Sequence, residues 1–450
     1  MAEILLTHSN HLNSDPKQVR KMQPYPPLQT LLAAALLRER GYSVALHDVT
    51  LAERPEDEFR AAIEQHRPRL VAVIEDNFNF LTKMCLTQNR ELAFRMCRVA
   101  NQAGVPAIVN GSDASDRSAE YLRAGFEIVI AGELERALED VAAAMLHGAI
   151  RGVEKVVRRP PVTDLDSLPD AAWDLADLDK YRAAWREAHG YFSMNLVSSR
   201  GCPYRCNWCA KPMFGSSYRA RAPRRIACEM LRLKRDFGAD HIWFADDIFA
   251  LSAGWTRAFA EAVDAIGAAI PFKMQSRCDL MTRDTVDQLR RAGCEEVWMG
   301  AESGSQKILD AMEKGSRVEH VLEARENLRR HGIRACFFLQ FGYPGETWSD
   351  IERTIRMVRE AAPDDIGVSV AYPLPGTKFY QRVAAELGEK ENWRDSGDLA
   401  MMFHGAYSSD FYRELASALH EEVHGGNPQW NRVFELEKHS AQALPIWTSC

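Results

Sequence analysis

Twice along this chain, short strand-like runs alternate with stretches of helical period, and in the first half those runs are unbroken and apolar. No other feature restricts the fold as tightly. In the first run, residues 2–6, 43–46, 70–74, 107–110 and 128–130 read as strands, interleaved with helical patterns over 28–40, 55–66, 91–103, 119–124 and 135–145. A strand apolar at every position has no face to show to water, so it belongs in a parallel sheet covered by helices on both sides. Residues 1–148 are therefore expected to form an open parallel α/β domain. The alternation resumes near 192, with strands predicted over 194–198, 241–245, 272–276, 296–300, 335–341 and 366–372 and helices between them. Six β/α units by residue 385 are too few for a closed eight-stranded barrel, and fit a partial (β/α)6 TIM-type barrel over 191–385. Between the domains, Pro160, Pro161, the acidic stretch 164–168 and Pro169 make 149–190 read as a linker. Trp173, Tyr181 and Trp185 predict that it packs on something. Residues 386–450 lack strand alternation and read as a mainly helical tail that caps the barrel.

The 450 residues, 46% hydrophobic and 26% charged, suffice for two large domains and a tail. A net charge of −7 leaves no electrostatic footprint for nucleic acid, and Arg219, Arg221, Arg224 and Arg225 read as a solvated face. No apolar run reaches the roughly 18 residues needed to span a bilayer, and the first residues lack the pattern of a secretory signal. The expectation is a cytoplasmic protein without a membrane span. Ten cysteines in that setting are thiols or metal ligands rather than disulfides. Cys85, Cys97, Cys228, Cys278, Cys294, Cys336 and Cys450 are scattered and read as small buried hydrophobes.

The other three are clustered in Cys202-Pro203-Tyr204-Arg205-Cys206-Asn207-Trp208-Cys209, directly after the first strand predicted in the second domain. Loops at the carboxyl ends of barrel strands are where this architecture places its chemistry. Spacings of four and three let one loop wrap three thiolates around a compact centre. An electron-transfer cubane normally takes four cysteines, one per iron; three leave one iron open to a ligand. Zinc is the alternative, and structural zinc takes four Cys or His ligands, commonly as two CxxC-like pairs. No second pair is present.

CxxxCxxC with an aromatic before the last cysteine resembles the radical S-adenosylmethionine superfamily. The resemblance implies a 4Fe–4S cluster on Cys202, Cys206 and Cys209, whose open iron chelates the amino and carboxylate groups of S-adenosylmethionine. It implies a 5′-deoxyadenosyl radical as the reactive species and places Trp208 against the adenine. Asp246 and Asp247 stand where the superfamily often has a Gly-Gly-Glu turn on the methionine amino group. Gly300-Ala301-Glu302-Ser303-Gly304-Ser305 is similar to its G-x-E-S-G-S segment, which implies ribose and methionyl contacts for Glu302 and Ser303. Gly342-Tyr343-Pro344-Gly345 and the loop from Tyr372 match its adenine-side loops, and Arg277 is the candidate for the methionine carboxylate. Taken singly, the aspartates read equally as helix N-caps, Arg277 as half of an ion pair, and the Pro-Gly loops as turns.

The first domain is similar to the cobalamin-binding domain of the cobalamin-dependent branch, Rossmann-like in fold. The residues that carry this likeness are Pro26-Pro27-Leu28, Asn110-Gly111-Ser112-Asp113, Ala131-Gly132-Glu133 and the linker segment 165–174. Asn110, Gly111, Gly132 and Glu133 are thereby cofactor-binding candidates, and the loop 75–80 a candidate face for the corrin, with Phe78 and Phe80 readable as core. No Asp-x-His-x-x-Gly is present, so no histidine is expected below the cobalt. What the resemblance implies is methylation of an unactivated carbon of a small molecule, with flavodoxin or ferredoxin as electron donor. A cyclase-like oxidation or ring formation is the alternative with the same cofactors. A non-catalytic cobalamin sensor is the alternative from another class.

Overall fold

The computed structural model of the chain describes residues 2–148, 154–209 and 213–443. Cys450 and the ends of the predicted linker and tail at 149–153 and 444–450 lie outside them. The first sheet contains β1 (Ile4–Thr7), β2 (Val44–Leu46), β3 (Leu70–Ile74), β4 (Ala107–Asn110), β5 (Ile128–Ile130) and β6 (Val156–Val157). They run in the order β2-β1-β3-β4-β5-β6, every pair parallel. All residues of β1, β3, β4 and β5 are buried. Helices Leu28–Glu39 and Glu135–His147 cover one face, and Pro55–His66 with Thr87–Gln102 the other. The chain reverses its direction of winding between β1 and β3. In such sheets a ligand crevice opens at the carboxyl ends of the strands around that point.

The segment predicted as a linker is built into the fold. It supplies β6, and a helix Leu178–His189 whose Trp185 is fully buried and donates its indole N–H to the Pro24 carbonyl at 2.6 Å. Two residues are too few for a periodicity signal, so only pairing with β5 defines β6. Next along the chain come β7 (Ser193–Leu196), then β8 (Ser199–Arg200) with β9 (Arg219–Ala220), which pair as a separate antiparallel ladder, and then β10 (His241–Phe244), β11 (Phe272–Ser276), β12 (Cys294–Glu302), β13 (Arg334–Phe341) and β14 (Asp365–Val370). The second sheet is parallel in sequential order, β7-β10-β11-β12-β13-β14, and ends at two edges. It is the partial barrel of six strands.

Strands of this sheet alternate faces. Val297, Met299 and Ala301 of β12 are buried under the outer helices, while Glu296, Trp298 and Gly300 face the lumen. In the lumen Trp298 stacks on Phe338, ring centroids 4.9 Å apart, and a Cβ on Gly367 would meet both. The helix Ser409–Val423 lies along edge strand β14. Such cover keeps an unpaired strand edge from recruiting another chain.

Two expectations fail here. The arginine cluster is not simply a solvated face: Arg221 is buried against Glu229 and half-buried Arg219 pairs with Glu133, although Arg224 is exposed. Cys228 is exposed, whereas Cys85, Cys97, Cys278, Cys294 and Cys336 are buried as expected. One turn of an amphipathic helix carries both kinds of position, and the sequence around Cys228 did not show which face it takes.

Candidate functional site

The cysteine loop leaves the barrel after β7 and is pinched at its base by the β8–β9 ladder. Gly201 makes the departure possible. Its φ is +77°, and a Cβ there would lie 2.4 Å from the Ser217 carbonyl oxygen, so only glycine fits. Asn207 then ties the loop to the far side of the barrel. Its N–H donates to the Met312 carbonyl, its amide to the Ala311 carbonyl at 2.8 Å, and its Oδ1 accepts from the Tyr343 hydroxyl at 2.9 Å. Cys202, Cys206 and Cys209 are all half-buried.

Three thiols on one loop suit a cluster that keeps one iron open, because structural zinc takes four Cys or His ligands and an electron-transfer cubane four cysteines.

Cations flank the loop. The Arg277 guanidinium lies 3.7 Å from the Tyr204 ring centroid, donates to both oxygens of Asp279 and to the Lys314 carbonyl, and exerts a direct Coulomb interaction with Cys206. The Lys314 ammonium sits 5.9 Å from the Trp208 ring and also interacts with Cys206. Burial opposes its charge, but Glu302 and Cys206 outweigh burial and hold its pKa above the ordinary lysine value. Lys314 Nζ and Glu302 Oε1 are 2.7 Å apart, with side chains 7% and 5% exposed. The pair is aimed by a register shift at Gly300/Glu302 on β12 and by a left-handed φ of +60° at Glu302. Bulges re-aim side chains, and a non-glycine residue in that region carries strain of a kind concentrated at functional sites. A Cβ on Gly300 would fall 2.5 Å from both charged atoms. Lys314 was not singled out from the sequence; its position 12 residues beyond Glu302 signals nothing without the bulge.

The other candidates divide. Trp208 Nε1 and Gln340 Oε1 are buried with no hydrogen-bond partner among the described residues, as fits a pocket awaiting a ligand. Asp246 is committed elsewhere. It accepts from the Ser198 N–H and from the hydroxyls of Ser198 and Ser199, fastening the residues that lead into the cysteines. Burial pushes its pKa up to about 6 against those hydrogen bonds. Asp247 pairs with Lys83 of the first domain. Ser303 is fully buried against Thr354. The Gly342 N–H donates to Glu346 at 2.6 Å, and the Gly345 carbonyl accepts from Lys307 at 2.7 Å. The Tyr372 hydroxyl accepts from the Asn392 amide and from the Trp393 N–H. Asp246, Asp247, Ser303 and Tyr372 thus each make contacts within the protein at the positions the resemblance assigns to S-adenosylmethionine.

At the seam, the carboxyl ends of β3, β4 and β5 meet the base of the cysteine loop. Arg200, two residues before Cys202, is buried between Glu133 (3.2 Å) and Glu135 (2.8 Å), and Arg219 takes Glu133 as well (2.7 Å). Its guanidinium also lies over Phe78 and Phe214, which stack at 5.0 Å. Phe78 is buried; Phe80 is 47% exposed. Asn110 bridges β4 to Asn77 and to the Gly132 carbonyl, and a Cβ on Gly111 would strike Glu75 at 2.8 Å. Five polar atoms at this end of the first sheet, four of them on helices, are buried without hydrogen-bond partners among the described residues: Gln29 Oε1, Asn77 Oδ1, Thr82 Oγ1, Ser112 Oγ and Glu135 Oε2.

A partial parallel barrel with a three-cysteine loop after its first strand is the design of a radical S-adenosylmethionine domain, and residues 196–358 match the profile of the radical SAM superfamily. The chain carries that domain. It is similar to an uncharacterized methyltransferase of Pyrococcus horikoshii, 27% identical over 60% of this chain and 60% of the relative. It is also similar to the anaerobic magnesium-protoporphyrin IX monomethyl ester cyclase of Synechocystis, 24% identical over 79% of this chain and 72% of that enzyme. Among solved structures, the radical S-adenosylmethionine methyltransferase TsrM of Kitasatospora setae, with cobalamin and a 4Fe–4S cluster bound, superimposes with a TM-score of 0.69 at 20% identity, over 86% of this chain and 78% of that one. The cobalamin-dependent enzyme OxsB superimposes with a TM-score of 0.65 at 18% identity, over 80% and 52%. Both show the same two-domain fold. Among the described residues no helix is long and apolar enough to cross a membrane.

Proposed function

We propose that this chain is a cobalamin-dependent radical S-adenosylmethionine enzyme that methylates an unactivated carbon of a small molecule. The observation that carries this is the constellation at the cysteine loop: three half-buried thiols on one loop, flanked by Arg277 and by the strained, buried Glu302–Lys314 pair. When bound, the cluster supplies the electron that cleaves the sulfonium of S-adenosylmethionine, and cobalamin carries the methyl group.

The chain's own residues position and insulate. Trp208 offers its unpaired indole N–H and ring to the adenine, beside the turn of Gly342, Tyr343 and Gly345. Glu302, steadied by Lys314, faces the ribose hydroxyls. Asp246 acts through the Ser198–Ser199 segment it holds, and Tyr343 through Asn207. Arg277 and Lys314 offset the negative charge that three thiolates bring to the loop. In the seam, each stranded polar group costs roughly 1–3 kcal/mol until it finds a partner. Asn77, Ser112 and Glu135, beside Asn110, Gly111, Gly132 and Glu133, would hold a corrin by taking hydrogen bonds from its peripheral amides. The likeness in fold to TsrM, which holds cobalamin and the cluster together, supports the pairing. A cluster with an open iron requires a reducing compartment, which fits the cytoplasm and a flavodoxin or ferredoxin donor.

Anaerobic reconstitution tests the proposal. About four irons per chain, reductive release of 5′-deoxyadenosine, and loss of both on changing Cys202, Cys206 or Cys209 to Ala are expected. Iron and cleavage retained in those variants refute the ligand assignment. Methyl transfer further requires S-adenosylhomocysteine as coproduct. Deoxyadenosine without it favours ring formation or oxidation, the second reading, which the similarity to the Synechocystis cyclase over 79% of the chain supports.

A further inference from the structure

At the opposite end of the barrel from the cysteines, three side chains converge that the reaction has no use for. His420 lies in the last turn of helix Ser409–Val423 and His424 caps it, four residues on. At that spacing two side chains share one helical face. Their rings lie 6.0 Å apart, 21° from parallel. Facing them is Asp365, the first residue of β14, whose Oδ1 is 3.1 Å from His424 Nε2. One donor atom from each of the three lies within 4.8 Å of the others, which no other such group among the described residues achieves.

We propose that Asp365, His420 and His424 bind a divalent transition metal of borderline softness, zinc being the type, with water completing the coordination. Two imidazoles and a carboxylate are the donor set of three-ligand zinc sites, and they select such ions over calcium or magnesium. The set lacks sulfur, so it is chemically distinct from the cysteine loop. It sits at the amino end of β14, a strand length of roughly 17 Å from the carboxyl ends where the cysteines emerge. Residues at that end of a barrel serve stability. The metal fastens the covering helix to the edge strand, holding closed the one side of the open barrel that the tail protects. Lys17 and Lys21, from helix Pro16–Lys21, both act electrostatically on His420. Their charge opposes a cation, so the affinity comes from ligation rather than from the local field.

The test uses full-length, cluster-loaded protein under anaerobic conditions, titrated with Co²⁺ and then with Zn²⁺. One cobalt per chain beyond the iron and any corrin cobalt is expected, with d–d absorption in the difference spectrum against the metal-free cluster-loaded protein, no new thiolate-to-cobalt charge-transfer band, and displacement by zinc. Hydrogen exchange in 409–423 slows on binding. His424→Gln and Asp365→Asn each weaken binding at least about tenfold. The His424 side chain is 54% exposed, so that variant folds whether or not His420 tolerates change. Failure of the wild type to retain the added cobalt, equal retention by the variants, or a new charge-transfer band on cobalt addition marking thiolate ligation each overturns the proposal.

Discussion

Replacing Lys314 with Met strands Glu302. The carboxylate and ammonium are 2.7 Å apart, with side chains 5% and 7% exposed, and both press on the backbone where a Cβ of Gly300 would stand. Water has no room to take the place of the ammonium. Removing one partner of such a pair leaves an uncompensated buried charge, at a cost of about 3–5 kcal/mol. The carboxylate escapes that cost by taking up a proton, so the deficit shrinks as pH falls, by at most about 1.4 kcal/mol per pH unit for one proton. Lys314→Met/Glu302→Gln leaves neither charge and recovers a large part of the loss. Urea unfolding of the cluster-free chain, followed by tryptophan fluorescence at about pH 7.5 and pH 5.5, measures all three. A single variant that unfolds at the wild-type midpoint, or a deficit that persists unchanged at the lower pH, refutes the view that this is a tight, desolvated pair.

Two further outcomes follow from the structure. Arg200→Met frees Glu135 and half-frees Glu133 in the seam and costs about 3–5 kcal/mol; limited proteolysis should show the domains parting, with iron lost from the adjacent loop, and an unchanged digestion pattern contradicts this. Burial raises the Glu346 carboxyl to about 8 against a hydrogen bond from the Gly342 N–H. The folded state therefore binds a proton that the unfolded chain releases near pH 4.5, and stability falls as pH rises through that window, by about 1.4 kcal/mol per unit. Glu346→Gln should flatten the slope between about pH 6 and pH 8, which denaturation midpoints across that range will check.

What the sequence determined by itself was whatever depends on neighbours in the chain. Strand-like runs set between helical stretches are local patterns, so all six barrel strands and five of the six strands of the first sheet were legible. Cysteine spacing is likewise local, and so the ligand loop was too. The surroundings of that loop were not legible, because its partners come from far along the chain. Arg200 meets Glu135 across 65 residues, and Asp247 meets Lys83 across 164. Asp246 shows the consequence. Its motif suggested a ligand contact, but only packing could decide that its oxygens go to Ser198 and Ser199. The same holds for Asp365 with His420 and His424. Residue types and periodicity place a side chain on a face, whereas the register of strands and the docking of helices decide which charge it meets there.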